Sequence, residues 1–207
     1  MGGTVGVIDY GICNVRSVEK AFRKVGADVR VVQTPEELDA CGRWVLPGVG
    51  TFQEGMANLS KRGFVKQIRD GVGAGRPFLG ICLGMQLLGA KGHEGGETEG
   101  LGLVEGDAVL LEKGAGVRLP HMGWNDCAVR IPGSIVDVGS APVFYFLNSY
   151  HLAATDPSIV SSSCVHGRAF AASIERGNLF ACQFHPEKSQ RAGLAVLERF
   201  LGKTAAG

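Results

Sequence analysis

Along the first eighty residues, short apolar runs alternate with amphipathic stretches. Residues 5–9 (Val-Gly-Val-Ile-Asp) are apolar until they meet turn residues, as a strand buried on both faces of a parallel sheet would be. Val15, Val18, Phe22 and Val25 then recur at helical spacing, with Asn14 placed to cap that helix. Residues 29–32 predict a second strand and residues 35–38 a short helix capped by Thr34. Residues 44–46 predict a third strand, stopping at Pro47-Gly48. Residues 52–59 and 64–68 read as helical. Residues 78–81 read as a fourth strand running into Cys82, followed by a helix over 85–88. This alternation predicts an α/β fold with a largely parallel central sheet and helices on both faces.

The pattern changes in the second half. Residues 108–111, 128–131, 143–147 and 159–164 read as strands. Residues 169–174 and 179–184, joined by Glu175-Arg176-Gly177-Asn178, predict an antiparallel hairpin. A last helix spans about 189–201, and the glycine-rich stretches 92–102 and 114–116 read as surface loops. Neither a repeat nor a linker divides the chain, so residues 1–207 read as one domain.

Charge narrows the possible partners. Lys and Arg number 21 against 20 Asp and Glu, and no basic block tracks a phosphate backbone, so nucleic acid is not an expected partner. The start lacks a signal-peptide pattern, and no apolar run is long enough to span a bilayer. The expectation is a cytoplasmic protein without membrane contact. The six cysteines, at 13, 41, 82, 127, 164 and 182, include no C-x-x-C pair, which argues against both a zinc site and a disulfide framework. No metal and no cofactor are expected.

Only Cys82 sits in a setting that argues for chemistry. Gly80-Ile81-Cys82-Leu83-Gly84 puts a thiol between two glycines where a strand meets a helix, the cysteine form of a nucleophile elbow. A lone cysteine there is more often core filling. The flanking glycines bring the two readings level. Gln183-Phe184-His185-Pro186-Glu187 supplies a base and, two residues on, a carboxylate to orient it. Pro47-Gly48-Val49-Gly50 can turn backbone N–H groups toward an oxyanion, with Val49 and Leu83 as the donors.

Taken together these residues resemble the class I (triad) glutamine amidotransferases. Gly80-Ile81-Cys82-Leu83-Gly84-Met85-Gln86, Phe184-His185-Pro186-Glu187 and Pro47-Gly48-Val49-Gly50 carry the likeness, and it covers essentially the whole chain. Within the class, the chain is most similar to the glutaminase branch of the imidazole glycerol phosphate synthases. The residues that mark this branch are Asp9-Tyr10-Gly11 with Asn14, His121-Met122-Gly123-Trp124-Asn125 and Glu187-Lys188-Ser189.

The resemblance implies a flavodoxin-like domain that hydrolyses glutamine with a Cys82–His185–Glu187 triad. It also implies a heterodimer with a (β/α)₈-barrel cyclase, which uses the ammonia to form imidazole glycerol phosphate in histidine biosynthesis. Gln86 and Glu94 then fall where the family holds the amino-acid end of glutamine. Gly50, Ser149 and Tyr150 fall where backbone contacts are added, and Asn14, Trp124 and Lys188 at the partner interface. Two positions depart from the usual pattern: Cys13 replaces a glycine, and Asn148 replaces the usual residue before Ser149. They leave open a paralogue feeding another cyclase-like partner, for example in amidino-sugar synthesis. A stand-alone cysteine hydrolase of the same fold is the other alternative. If the chain needs a partner, its isolated form should be a poor glutaminase, with Val49 N–H turned from the oxyanion until docking.

Overall fold

The alternating pattern folds as its period requires, with each short apolar run becoming a strand and each amphipathic stretch a helix packed against it. The computed structural model describes residues 3–112, 117–139 and 141–202. In chain order the strands are β1 (Val5–Ile8), β2 (Val29–Val32), β3 (Arg43–Gly48), β4 (Phe78–Cys82), β5 (Lys91–Gly92), β6 (Thr98–Glu99) and β7 (Gly106–Leu110). They continue with β8 (His121–Asp126), β9 (Ala128–Val129), β10 (Val143–Asn148), β11 (Tyr150–Ala154), β12 (Val160–His166), β13 (Arg168–Arg176) and β14 (Leu179–Cys182). The helices are α1 (Val15–Lys24), α2 (Phe52–Lys61), α3 (Phe64–Gly73), α4 (Leu83–Gln86) and α5 (Gln190–Gly202).

The main sheet runs β2-β1-β3-β4-β14-β13-β12-β9. From β2 to β14 the pairings are parallel. From β14 to β9 they are antiparallel. The order 2-1-3-4 is that of a doubly wound sheet, in which ligands bind beyond the carboxyl ends of the strands. Those ends carry the segments after β1, β3 and β4, and therefore Ile12, Val49 and Cys82. Two smaller sheets, β8 with β10 and β11-β7-β5-β6, fold over this end of the molecule.

Strand alternation sends side chains to two cores. On one face Val5, Val7, Val45, Leu79 and Ile81 pack with Val15, Val18 and Phe22 of α1 and Val196, Leu197 and Phe200 of α5. On the other, Ile8, Trp44, Leu46 and Phe78 pack with Phe52 and Leu59 of α2 and Phe64 and Ile68 of α3. The β8–β10 ribbon turns Phe144 and Phe146 into the first core and leaves Met122 and Trp124 64% and 48% exposed. Among the described residues no helix is long and apolar enough to cross a membrane.

Several expectations need correction. Asn14 makes no side-chain capping bond, because its backbone (φ −85°, ψ 63°) is not extended as capping requires; it stands exposed on the loop before α1. The stretch 92–102 is not a plain surface loop. It contains β6 and the end of β5, and Gly92 lies so close to the Phe52 ring that a Cβ would sit 2.2 Å from it. Strand β3 continues through Pro47 and Gly48, paired with Ile81 and Cys82. The helix after Cys82 begins at once and ends at Gln86, rather than spanning 85–88. The strand expected over 128–131 is only Ala128–Val129, and β14 ends at Cys182. The loop over 114–116 lies outside the described residues.

Candidate active site

Cys82 is the last residue of β4 and takes φ 55°, ψ −111°, a conformation that side chains other than glycine's rarely adopt. Such strain persists only where the surroundings fix it, and it turns the sulphur out of the sheet. The neighbouring glycines do not share the positive φ; their part is to let backbones touch. A Cβ on Gly84 would meet the Leu46 carbonyl oxygen at 1.9 Å, and one on Gly80 the Gly84 oxygen at 2.7 Å. Gly48 is equally confined, since a Cβ there would stand 2.4 Å from the Tyr10 hydroxyl and 2.9 Å from Leu83 Cβ. The elbow is thus held by backbone-to-backbone packing of α4 on β3 and β4.

His185 and Glu187 come from the turn between β14 and α5. His185 Nδ1 and Glu187 Oε1 are 2.9 Å apart, with both side chains at least 96% buried (4% and 2% exposed). That bond leaves Nε2 toward the cavity that His185 shares with Cys82, and Nε2 has no hydrogen-bond partner. Burial pushes the imidazole pKa down. The neighbouring Cys82 and Glu187 outweigh this and hold it up at about 10. A protonated imidazole between a thiol and a carboxylate can give a proton to a leaving group and later take one from water.

The triad turn is tied to β10 by a closed set of bonds. His185 N–H donates to the Tyr145 carbonyl (2.9 Å), Tyr145 N–H to Ser189 Oγ (2.9 Å), and Ser189 Oγ–H to the His185 carbonyl (2.6 Å). Tyr145 in turn packs edge-on to Trp124, and Lys188 Nζ sits 5.5 Å above the Tyr145 ring. Trp124 and Lys188 therefore share one exposed patch beside the triad. Asn14 is exposed on the loop that also carries Ile12, just before α1, and α1 touches the turn 186–188.

The cavity over Cys82 has a volume of about 240 Å³ and is lined by Val49, Gly50, Leu83, Gln86, Glu94, Pro120, Leu147, Asn148, Ser149, Tyr150 and His185 besides the nucleophile. It suits a ligand of amino-acid size. All the residues expected to touch substrate meet there. Glu94 Oε2 accepts from Phe52 N–H (3.0 Å), which anchors a carboxylate at the cavity wall. Gly50 takes φ +99°, which explains the glycine. The Ser149 carbonyl is already bonded to Leu111 N–H (2.8 Å). The Tyr150 carbonyl accepts from Gln86 and Asn148 (2.9 and 3.0 Å). Val49 N–H donates to the Ile12 carbonyl at 3.0 Å, so this donor is committed within the protein.

Gln183 and Asn148 escaped the sequence reading as site residues. Gln183 is fully buried, and its Nε2 donates to Cys82 Sγ at 3.7 Å. The available signal was a polar residue inside the apolar run 179–184. A larger cavity, about 820 Å³, opens at the opposite ends of the strands around Arg43, Trp44 and Arg76, and no cysteine, serine or histidine lines it. Among the described residues no cluster of three or more His, Cys, Asp or Glu is arranged to hold a metal ion.

Residues 6–204 match the family model of glutamine amidotransferase class-I. The chain is 43% identical over 194 residues to the imidazole glycerol phosphate synthase subunit HisH of Rhodopirellula baltica, spanning 94% of this chain and 95% of that one. It is 44% identical over 197 residues to the subunit of the same name from Moorella thermoacetica, spanning 95% and 93%. Among solved structures it superposes on PurLQS from Thermotoga maritima with a TM-score of 0.77 at 20% identity, covering 98% and 99% of the two chains. A crystal structure of a glutamine amidotransferase gives a TM-score of 0.75 at 19% identity, covering 96% and 99%. The two structural likenesses speak to fold alone.

Proposed function

The chain belongs to the class-I glutamine amidotransferases, and from that premise we propose that it is the glutaminase subunit of an imidazole glycerol phosphate synthase. It hydrolyses glutamine to glutamate and ammonia and passes the ammonia to a cyclase subunit in histidine biosynthesis. The observation that carries the chemistry is Cys82 at a strained strand end, sharing one cavity with a buried His185 that Glu187 orients.

Cys82 Sγ attacks the side-chain amide carbon of glutamine, and negative charge collects on the amide oxygen. Leu83 N–H and, once released from Ile12, Val49 N–H stabilise that charge. The C–N bond breaks as His185 gives its proton to the nitrogen, and ammonia leaves. Water then attacks the thioester with His185 as base, which frees glutamate and the thiol. Gln86, Glu94, Gly50, Ser149 and Tyr150 hold the amino-acid end of the substrate, with the Glu94 carboxylate facing its ammonium group.

The partner is a (β/α)₈-barrel cyclase forming a heterodimer, docked on the side where Trp124 and Lys188 are exposed, with Asn14 at its margin. Both chains would work in the cytoplasm, and residues 1–207 act as one glutaminase domain. Support comes from the names of the relatives and from the exposed apolar ribbon beside the triad.

The test uses the chain with its cyclase. Cys82→Ala should abolish glutamine-dependent synthesis while added ammonium still drives cyclisation. Glutamate release by the folded variant would remove Cys82 from the mechanism, and failure of both nitrogen sources would remove the cyclase assignment.

A further inference from the structure

A line of side-chain amides runs from the substrate cavity to the nucleophile, and its direction can be deduced. The Tyr150 carbonyl can only accept a hydrogen bond, so the group 2.9 Å from it must be the NH₂ of Gln86. The second N–H of that amide reaches a Gln183 side-chain atom at 3.1 Å, which must therefore be Oε1. The NH₂ of Gln183 is left facing Cys82 Sγ, at 3.7 Å. Gln183 is 0% exposed and Gln86 5%, so water does not compete for these bonds.

We propose that Gln183 is a positioning residue with two tasks: it donates an N–H hydrogen bond to the Cys82 thiolate, and it locks Gln86 in the orientation that receives glutamine. This rests on the glutaminase reading above and deepens it. An N–H donor stabilises a thiolate more than a thiol, so its effect falls on the fraction of nucleophile ready to attack. Two nearby groups stay uncharged because burial pushes the pKa of each up: Tyr10, two residues past β1, whose hydroxyl makes no hydrogen bond, and Cys182 of β14. His185 is the neighbouring cation, and Glu187 stands behind it. Cys82 Sγ also lies 3.9 Å from the Leu147 carbonyl, an acceptor suited to the thiol and not to the thiolate. Gln183 favours the opposite state, so the sulphur has one partner for each protonation state.

The test is the rate of iodoacetamide alkylation at Cys82 against pH in the full chain, read by peptide mass. Gln183→Met keeps the volume and removes the donor. The pH of half-maximal alkylation should rise by about one unit, and glutaminase kcat/KM near pH 7 should fall about tenfold and recover at higher pH. Gln183→Glu, close in shape but with oxygen facing sulphur, should shift the curve further. An unchanged alkylation curve in a folded variant overturns the proposal, as does a loss of activity equal at every pH. Should both variants fail to fold, the Gln183 side-chain amide protons of the unaltered chain are followed by NMR through the same titration. They must move with Cys82 ionisation, and a fixed signal rejects the hydrogen bond. A shifted alkylation curve in a chain whose unaltered form releases no glutamate even with its cyclase and acceptor would instead sink the glutaminase reading and leave the Gln183–Cys82 bond standing.

Discussion

His185 is a buried histidine that keeps its proton, and the sign of that shift has consequences. Burial pushes its pKa down, yet Cys82 and Glu187 raise it to about 10 from an ordinary 6.5. The stability this charge contributes is complete below 6.5 and is lost as pH climbs through 10. Activity that needs the imidazolium as proton donor should hold from neutrality to the same alkaline limit. Glu187→Gln keeps a hydrogen-bonding group but removes one of the two raising partners. Its kcat/KM should fall on the order of tenfold at pH 7, the size of a charge-assisted hydrogen bond, and more at pH 9. A pH profile whose alkaline limb stays in place would deny Glu187 this electrostatic part. Cys82, His185 and Glu187 were legible in the sequence because each lies in a short local motif. Gln183 was not, since its partners Gln86 and Cys82 are 97 and 101 residues away in the chain.

The strand–turn–helix around Cys82 shows what its glycines are for. They could be read from sequence as giving freedom to a tight turn, but it is Cys82 that takes the positive φ. Gly84 instead lets α4 rest directly on the Leu46 carbonyl, with no room for a methyl group. Gly84→Ala must push α4 off β3 and should cost about 3 kcal/mol, at the upper end for overpacking. Urea unfolding of the variant measures it, and a loss below about 1 kcal/mol would mean that the elbow is softer than its contacts imply. The first half of the fold was readable because β1, β3 and β4 are buried on both faces and, but for Arg43 at the start of β3, carry no charged side chain. Strands β8 and β11 escaped notice for the opposite reason. His121–Asp126 and Tyr150–Ala154 belong to small sheets with one wet face, and each mixes His, Asn, Asp or Tyr among few apolar residues. Such strands are decided by their partners, β10 and β7, more than by their own pattern.

At the scale of the whole molecule, the fold's binding crevice is partly closed by one internal bond. Val49 N–H, a proposed oxyanion donor, is held by the Ile12 carbonyl across the gap between the segments after β1 and β3. On the proposed function, docking of the cyclase with its acceptor bound would turn that peptide and complete the site. One missing donor costs on the order of a hundredfold or more in rate, so glutamate release by the isolated chain should be slower than by the loaded complex by about that factor. Equal rates in the two would show that the Ile12 bond is no restraint. Lys188→Ala should weaken activation while leaving the melting temperature unchanged, since its side chain is exposed over Tyr145.

The six thiols are distributed unequally over the structure. Cys41, Cys127, Cys164 and Cys182 lie in the two cores, and burial pushes Cys13 up to about 12. Cys82 is the one cysteine that lines the catalytic cavity. Peroxide attacks sulphur that it can reach, so ageing of this protein should begin at the atom that does its work. A sample kept too long in air should go on melting and sedimenting like a fresh one while its turnover drains away. Its shelf life would then be set by one sulphur rather than by the fold.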